Sequence, residues 1–160
     1  IGWLRAGNAG TLAPALSLAV TRDHLGARLA VSGLGSSPER TAPAGSARMA
    51  QDVALLELLA CWRLRRVVRT CGTAGGGLEL LRVTGAAGGS GFSGTRNTLW
   101  AGAAAAGVSL AWTPGRWLVF AVDARAVGAW PSTKVRVDGV TVAEVGGPGL
   151  WLTAGVGARL

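Results

Sequence analysis

Polar and apolar positions alternate along much of this chain. Between Trp117 and Trp130 one parity reads Leu118, Phe120, Val122, Ala124, Ala126, Gly128 and Trp130. The other reads Trp117, Val119, Ala121, Asp123, Arg125 and Val127. Successive side chains of a strand point to opposite faces. The segment therefore predicts a strand with one wholly apolar face and one mixed face. Met49–Trp62 repeats the pattern, with Ala54, Leu56, Leu58, Ala60 and Trp62 set against Gln51, Val53, Leu55, Glu57, Leu59 and Cys61. So does Gly149–Leu160, where Leu150, Leu152, Ala154, Val156, Ala158 and Leu160 oppose Trp151, Thr153, Gly155, Gly157 and Arg159.

Eight such segments follow one another. They are Gly2–Ala6, Ala13–Thr21, Leu25–Leu34, Met49–Trp62, Val67–Leu81, Asn97–Trp112, Trp117–Trp130 and Gly149–Leu160. Their connections alternate in length. Long ones (Gly7–Leu12, Gly35–Ala47, Thr84–Thr95 and Pro131–Pro148) exchange with short ones. The short ones are Arg22-Asp23-His24, the basic turn around Leu64–Arg66, and Thr113-Pro114-Gly115-Arg116. Pro-Gly is a strong turn signal, and Asp138-Gly139 predicts a short hairpin inside the last long loop. An even strand number with short turns at one end and long loops at the other is the rhythm of outer-membrane barrels. A soluble sandwich gives no reason for it. The expected fold is therefore all-β, one domain over residues 1–160. It is an eight-stranded antiparallel up-and-down transmembrane β-barrel with short periplasmic turns and longer extracellular loops.

Trp100 and Trp112 bracket the longest apolar run and share the outward parity, twelve residues apart. At about 3.3 Å per residue and a tilt of about 40°, they stand about 30 Å apart along a membrane normal. That is near the spacing of the two aromatic belts of a spanning barrel. Trp62 and Trp130 have the same parity. Trp62 and Trp112 lie beside short turns, Trp100 and Trp130 beside long loops, as two belts require. The alternative is four core residues of a soluble barrel, which gives no reason to sort toward strand ends.

Composition agrees with strands in lipid. The chain has 160 residues, 26 of them Gly, seven Trp and no Tyr. No window of about 18 to 20 apolar residues predicts a helical span. Mean hydropathy is +0.38, which, with the tryptophans, excludes a disordered composition. The formal charge is +8, yet the arginines are scattered through apolar segments rather than set in one stripe. A nucleic-acid partner is therefore not expected. The chain opens at Ile1-Gly2-Trp3 without a secretory signal. Since an outer-membrane protein is exported, it reads as a mature chain or fragment whose signal lies outside it.

Charged residues gather on the inward parity: Arg28, Glu57, Arg69, Glu79, Asp123, Arg125 and Arg159, with Arg5 beside them. A charge facing lipid costs a few kcal/mol near the midplane, whereas opposite charges inside can pair. Asp123 and Arg125 are adjacent on one inner face; Glu57 and Arg69 lie on neighbouring segments. Such a network reads either as a polar pore or as a plug. The plug is favoured, because eight strands leave an interior just wide enough for side chains to fill. Cys61 and Cys71 share the inward parity and fall opposite each other when the hairpin folds about Arg66. In an oxidising compartment this predicts a disulfide; the alternative is two buried thiols.

Catalytic and metal chemistry is missing. His24 is the single histidine and sits in a short turn, away from the long loops. No serine has a histidine–acid partner, and Glu39, Asp138 and Glu144 stand singly in the loops. The two cysteines at this spacing are no metal signature. The glycine runs Gly75–Gly77 and Gly88-Gly89 match no phosphate loop and are expected to relieve crowding. An enzyme is not expected, and neither cofactor nor metal is implied.

The second half carries a resemblance. ELLACWRLRRVVRTCGTAGGGLELLRVTG, LWAGAAAAGVSLAWTPGRWLVFAVDARAVGAW, VRVDGVTV and GPGLWLTAGVGARL together resemble small, largely uncharacterised outer-membrane β-barrel proteins of myxobacteria, of the OmpA-like barrel type. In that group a Cys pair flanks a hairpin, a Trp-Gly/Ala strand leads to a Pro-Gly-Arg turn, and a Gly-rich strand follows. The likeness spans Leu55–Leu160. It implies a Gram-negative outer-membrane location and a multi-pass barrel, and it transfers no catalytic residues. The chain departs from such barrels in ending Arg159-Leu160, where an aromatic residue is usual.

The expected role is structural or surface-interacting, with specificity in the extracellular loops. The basic loop residues Arg40, Arg48, Arg96, Lys134 and Arg136 are candidate contacts to lipopolysaccharide phosphates or an envelope partner. The other readings are a narrow, porin-like channel for small solutes, motivated by the inward charges, and a barrel subunit of a larger envelope complex, motivated by the long loop Pro131–Pro148. The sequence sets no oligomeric state.

Overall fold

The computed structural model describes residues 2–6, 9–33, 39–42, 45–87, 96–131, 133–137, 140–145 and 147–159, with side chains placed for 13–33, 48–84, 97–131 and 147–159. The described residues form strands and their connections. In chain order they are β1 (Gly2–Ala6), β2 (Ala9–Ala13), β3 (Ala15–Arg22), β4 (Leu25–Ser32), β5 (Glu39–Ala42), β6 (Gly45–Arg65), β7 (Val68–Ala87), β8 (Arg96–Trp112), β9 (Leu118–Trp130), β10 (Thr133–Val137), β11 (Val140–Val145) and β12 (Gly149–Ala158).

One antiparallel sheet runs β2-β1-β12-β9-β8-β7-β6-β4-β3, with β5 added on β6; β10 and β11 pair as a separate hairpin. The two ends of that path, β2 and β3, are consecutive in the chain and separated only by Pro14. Proline lacks the N–H that a ladder needs, so the strand breaks there and each half takes a different neighbour. Its upper half pairs β1 from Gly2↔Ala13 to Ala6↔Ala9, and its lower half pairs β4 from Ala15↔Ser32 to Arg22↔Leu25. The Gly33 N–H donates to the Pro14 carbonyl at 3.2 Å.

The pleat settles which side is buried. Along β9 the apolar parity is exposed or half-buried, while Asp123, Arg125, Val127 and Ala129 are buried. The same holds on β6, where Val53, Leu55, Glu57, Leu59 and Cys61 are buried and Leu56, Leu58 and Trp62 are exposed. The buried face is layered along β6. Val53 and Leu55 belong to an apolar cluster with Ala13, Ala103, Ala105, Val127, Ala129 and Trp151. Glu57 marks a charged layer, and Leu59 packs with Cys61 and Cys71 nearer the turn. Trp151, assigned by parity to the mixed face, fills the top of this interior.

Several boundaries differ from those the sequence predicts. Gly7–Leu12 is not a loop: β2 begins at Ala9, so Gly7 and Asn8 alone separate it from β1 and the long–short alternation fails at the first connection. Gly35–Ala47 contains β5 and the start of β6, paired from Glu39↔Arg48 to Ala42↔Gly45. β7 runs past Leu81 to Ala87, against β6 down to Gly45↔Ala87. These extensions hold small and polar residues without period-two contrast. They are strands by backbone pairing alone, which hydrophobic parity does not reveal. β4 stops at Ser32, β9 starts at Leu118 and β12 stops at Ala158. The expected hairpin within Pro131–Pro148 forms as β10 and β11; Asp138 and Gly139 lie outside the described residues.

Glycine is needed where β7 pairs with β6 beside Glu57. A Cβ on Gly75 would collide with the Leu56 carbonyl oxygen and stand 2.6 Å from the Glu57 Cα. Such distances leave no room for a side chain, so Gly75→Ala is expected to lower stability by about 1–3 kcal/mol through overpacking. Gly155, with nothing within 4 Å of its would-be Cβ, is the control, with a change of about 0.5 kcal/mol or less expected for Gly155→Ala. Denaturant unfolding of the two variants checks the contrast.

Candidate functional site

The most organised chemistry lies on the buried face. Arg28 on β4 and Glu57 on β6 are register partners, and Arg28 Nε donates to Glu57 Oε2 at 2.8 Å. Arg28 Nη1 donates to Asp123 Oδ1 on β9 at 2.6 Å. Arg125 Nη2 lies 3.5 Å from that same oxygen, and Arg125 Nε lies 3.1 Å from Glu57 Oε1. The last contact is an ion pair without hydrogen-bond geometry. Two arginines thus meet two carboxylates, and the charges balance. The layer is enclosed by the sheet: Glu57 is 0% exposed and Arg125 5%.

The Arg28–Asp123 contact also fixes the shape. In the sheet, β6, β7 and β8 stand between β4 and β9. Side chains on strands that far apart touch only where the sheet curls on itself around a common interior. Local sequence allows the crowding. Gly75 is the register partner of Glu57, and Gly107 of Arg125, so no side chain competes on the neighbouring strand. Both glycines sit in runs that carry no chemical motif, which is why sequence reading passes over their role.

Of the seven charged residues expected inside, the structure brings together Arg28, Glu57, Asp123 and Arg125. Glu79 is buried but apart, accepting a hydrogen bond from Gln51 Nε2 at 2.8 Å. Gln51 was legible only as an inward position on β6. Arg69 does not reach Glu57. Glu57 faces Gly75, six residues along β7, about 20 Å at the rise of a strand. Arg69 instead bonds Thr21 Oγ1 and the Asp23 carbonyl, both at 2.8 Å, at the turn end. Arg159 is exposed, because β12 ends one residue before it. The side chain of Arg5 lies outside the described residues.

Cys61 and Cys71 are register partners and form a disulfide, with Cα atoms 4.0 Å apart. It closes the β6–β7 hairpin at the level of the first turn. There His24 Nδ1 lies 3.0 Å from the Cys61 carbonyl, and the Cys61 N–H donates to the His24 carbonyl at 2.7 Å. Asp23, in the same two-residue turn, has φ 52°, a conformation that aspartate tolerates.

The four outward tryptophans separate by end. Trp62 and Trp112 lie at the turn end, and Trp112 stacks on Phe120 with ring centroids 5.4 Å apart. Trp100 and Trp130 lie at the opposite end, Trp130 81% exposed. Arg48 is exposed on β6. Arg40, Arg96, Lys134 and Arg136 fall on β5, β8 and β10, and their side chains lie outside the described residues. Among the described residues no group of three or more metal-ligating side chains forms.

This layered, curled sheet has a structural counterpart. Ail, the attachment invasion locus protein of Yersinia pestis, superposes over 99% of this chain and 91% of its own, at a TM-score of 0.53 and 14% identity. The two share a fold. Both are built on a curled antiparallel all-β sheet. No protein-family model and no curated sequence matches the chain.

Removing one carboxylate tests the charged layer. Glu57→Leu leaves Arg28 and Arg125 facing each other, and a loss of about 3–5 kcal/mol is expected for breaking a buried pair. The Cys61→Ala/Cys71→Ala protein is expected to lose up to about 3 kcal/mol, the loop-closure value for a bridge of this short span. Unfolding curves with intact and reduced protein check both, and alkylation of natively extracted wild type is expected to find no free thiol.

Proposed function

We propose that this chain is an outer-membrane β-barrel of eight strands, closed through the broken strand β2–Pro14–β3. Its interior is plugged by side chains, and its role is surface interaction at the hairpin end. One observation carries the reading: polarity is inverted. Leu16, Leu18, Val20, Leu56, Leu58, Val122 and Leu152 are exposed, Val20 by 72% and Leu58 by 71%, while five charged residues, Arg28, Glu57, Glu79, Asp123 and Arg125, are buried. In water each exposed leucine forfeits about 1.5–3 kcal/mol of burial, and buried ions add desolvation. Hydrocarbon outside removes the first cost. The exposed apolar surface far exceeds the patches that soluble monomers carry.

The pairings support closure. β1 joins β12 on one side and β2 on the other, β4 joins β3, and β2 and β3 are one strand interrupted by Pro14. Counting β2 and β3 together gives eight strands: β1, β2–β3, β4, β6, β7, β8, β9 and β12. Trp62 with Trp112, and Trp100 with Trp130, would mark the two interfaces. The apolar cluster around Leu55 and Trp151, above the ion layer, favours a plug over the alternative of a solute channel. Ail is an outer-membrane barrel, named for attachment and invasion. Here the corresponding surface would be the extended β5–β6–β7 and β10–β11 hairpins, with Arg40, Arg48, Arg96, Lys134 and Arg136 offered to lipopolysaccharide phosphates or an envelope partner. Kinship with the myxobacterial barrels rests on the sequence motifs.

The protein is expected to require detergent for dispersal and to migrate faster on a gel unheated than boiled. Recovery as a monomer in detergent-free buffer would overturn the reading. Leu58 pairs with Ala74, which pairs with Ala106, midway between Trp100 and Trp112. Leu58→Arg is therefore expected to cost about 2–4 kcal/mol, the midplane value for a lipid-facing cation. Reconstituted protein should carry no current across a planar bilayer; steady single-channel conductance would replace the plug with the channel.

A further inference from the structure

Arginine gathers at the turn end of the sheet. Arg22 closes β3, Arg63 and Arg65 end β6, Arg66 opens the next turn, Arg116 lies in the turn after β8, and Arg159 follows β12; all six are exposed. Arg69 adds a seventh, held on the Asp23 turn. Among the described residues Asp23 is the one carboxylate at this end, and none of the six exposed arginines has an ion-pair partner. The opposite end differs: there Arg82 pairs with Asp52 at 3.4 Å.

These turns are tied into one collar. The Cys61 N–H donates to His24, the Thr113 N–H to Val67 and the Arg159 N–H to Trp117. The arginines therefore occupy adjoining positions around one rim. Just inside that rim the outward face carries exposed Trp62, Leu64, Trp112, Leu118 and Phe120, and exposed Trp117 stands in the turn that leads into β9. A band of apolar rings bordered by guanidinium groups has the layering of a hydrocarbon edge followed by headgroups. The guanidinium fork matches phosphate oxygens in pairs, and like charges crowded on one rim are relieved by an external anion.

We propose that this collar binds the phosphates of anionic phospholipids in the leaflet that faces the short turns. The proposal rests on the membrane reading above. It assigns the turn end a lipid-recognition role, separate from any surface contact at the hairpin end.

The test uses full-length protein in neutral detergent with equal phosphatidylglycerol and phosphatidylcholine, and native mass spectrometry counts the lipids retained. A basic residue beside an anionic lipid surface contributes about a fivefold preference, weakened by salt. Wild type is expected to retain phosphatidylglycerol by at least about tenfold over phosphatidylcholine. The Arg63→Gln/Arg65→Gln/Arg66→Gln/Arg116→Gln protein, which keeps Arg22, Arg69 and Arg159, is expected to lose most of that preference, and Arg82→Gln to keep the wild-type preference. Should the fourfold variant not fold, Arg63→Gln/Arg65→Gln and Arg66→Gln/Arg116→Gln carry the test with partial losses. Equal retention by wild type overturns the proposal, as does an undiminished preference in the folded variants. The heat-dependent gel shift, read on the same samples, reports barrel integrity by itself, so loss of lipid preference and failure of the membrane reading are told apart.

Discussion

A buried charge in a low-dielectric interior must find its counter-charge, and in this chain it finds it across the sheet. Arg28 on β4 bonds both Glu57 beside it and Asp123 on β9, with three strands of the sheet between. Hydrophobic contacts are non-directional and tolerate many curvatures. A bidentate guanidinium does not, because its two donors point in fixed directions. The Arg28 fork therefore sets how tightly the sheet curls, and the packing above and below it follows. Net stabilisation from such a buried cluster is small, since desolvation offsets the attraction. Its contribution is to make wrong curvatures costly, each one stranding a charge.

The same layer explains the distribution of small residues. Glu57 and Arg125 need volume on a narrow inner face, and Gly75 and Gly107 supply it from the neighbouring strands. Alanines Ala103 and Ala105 continue that thin wall on β8 beneath Val127 and Trp151. The Gly/Ala richness of the chain is thus a packing requirement of a narrow interior. The outward face obeys no such limit and carries the large side chains, leucine, valine and tryptophan. Size and polarity are both reversed relative to a water-soluble domain.

Much of this was legible because a strand's period is two and one face is uniformly apolar. β9 and the Leu55–Trp62 part of β6 could be read residue by residue, including the placement of Asp123, Arg125, Glu57 and the Cys61–Cys71 pair. Parity gives a face, however, and not a height. Arg69 and Arg159 have inward parity yet lie beyond the enclosed length, where the side chain reaches the rim or solvent. Glu57 and Arg69 sat on neighbouring strands in sequence, and only the register shows them about 20 Å apart. The β5–β6 and β7 extensions escaped for the converse reason: backbone pairing needs no hydrophobic contrast. Pro14 was visible throughout, but its consequence, one strand shared between two neighbours, depends on partners far away in the chain.

The two ends of the fold are built on different principles. At the turn end the connections are short, the disulfide closes β6 on β7, and backbone bonds tie each turn to the next. Little there can move without breaking several contacts. At the other end β6 and β7 run on as a paired ribbon past the core, and β10–β11 form a hairpin outside the main sheet. Segments held mainly by local pairing accept sequence change more readily than packed ones. A scaffold fixed at one end and extended at the other separates the packed end from the surface proposed for recognition. The rigid rim suits a planar array of small, repeated anions, whose spacing it must match. The ribbons suit a larger partner, to which they can adapt without disturbing the ion layer beneath.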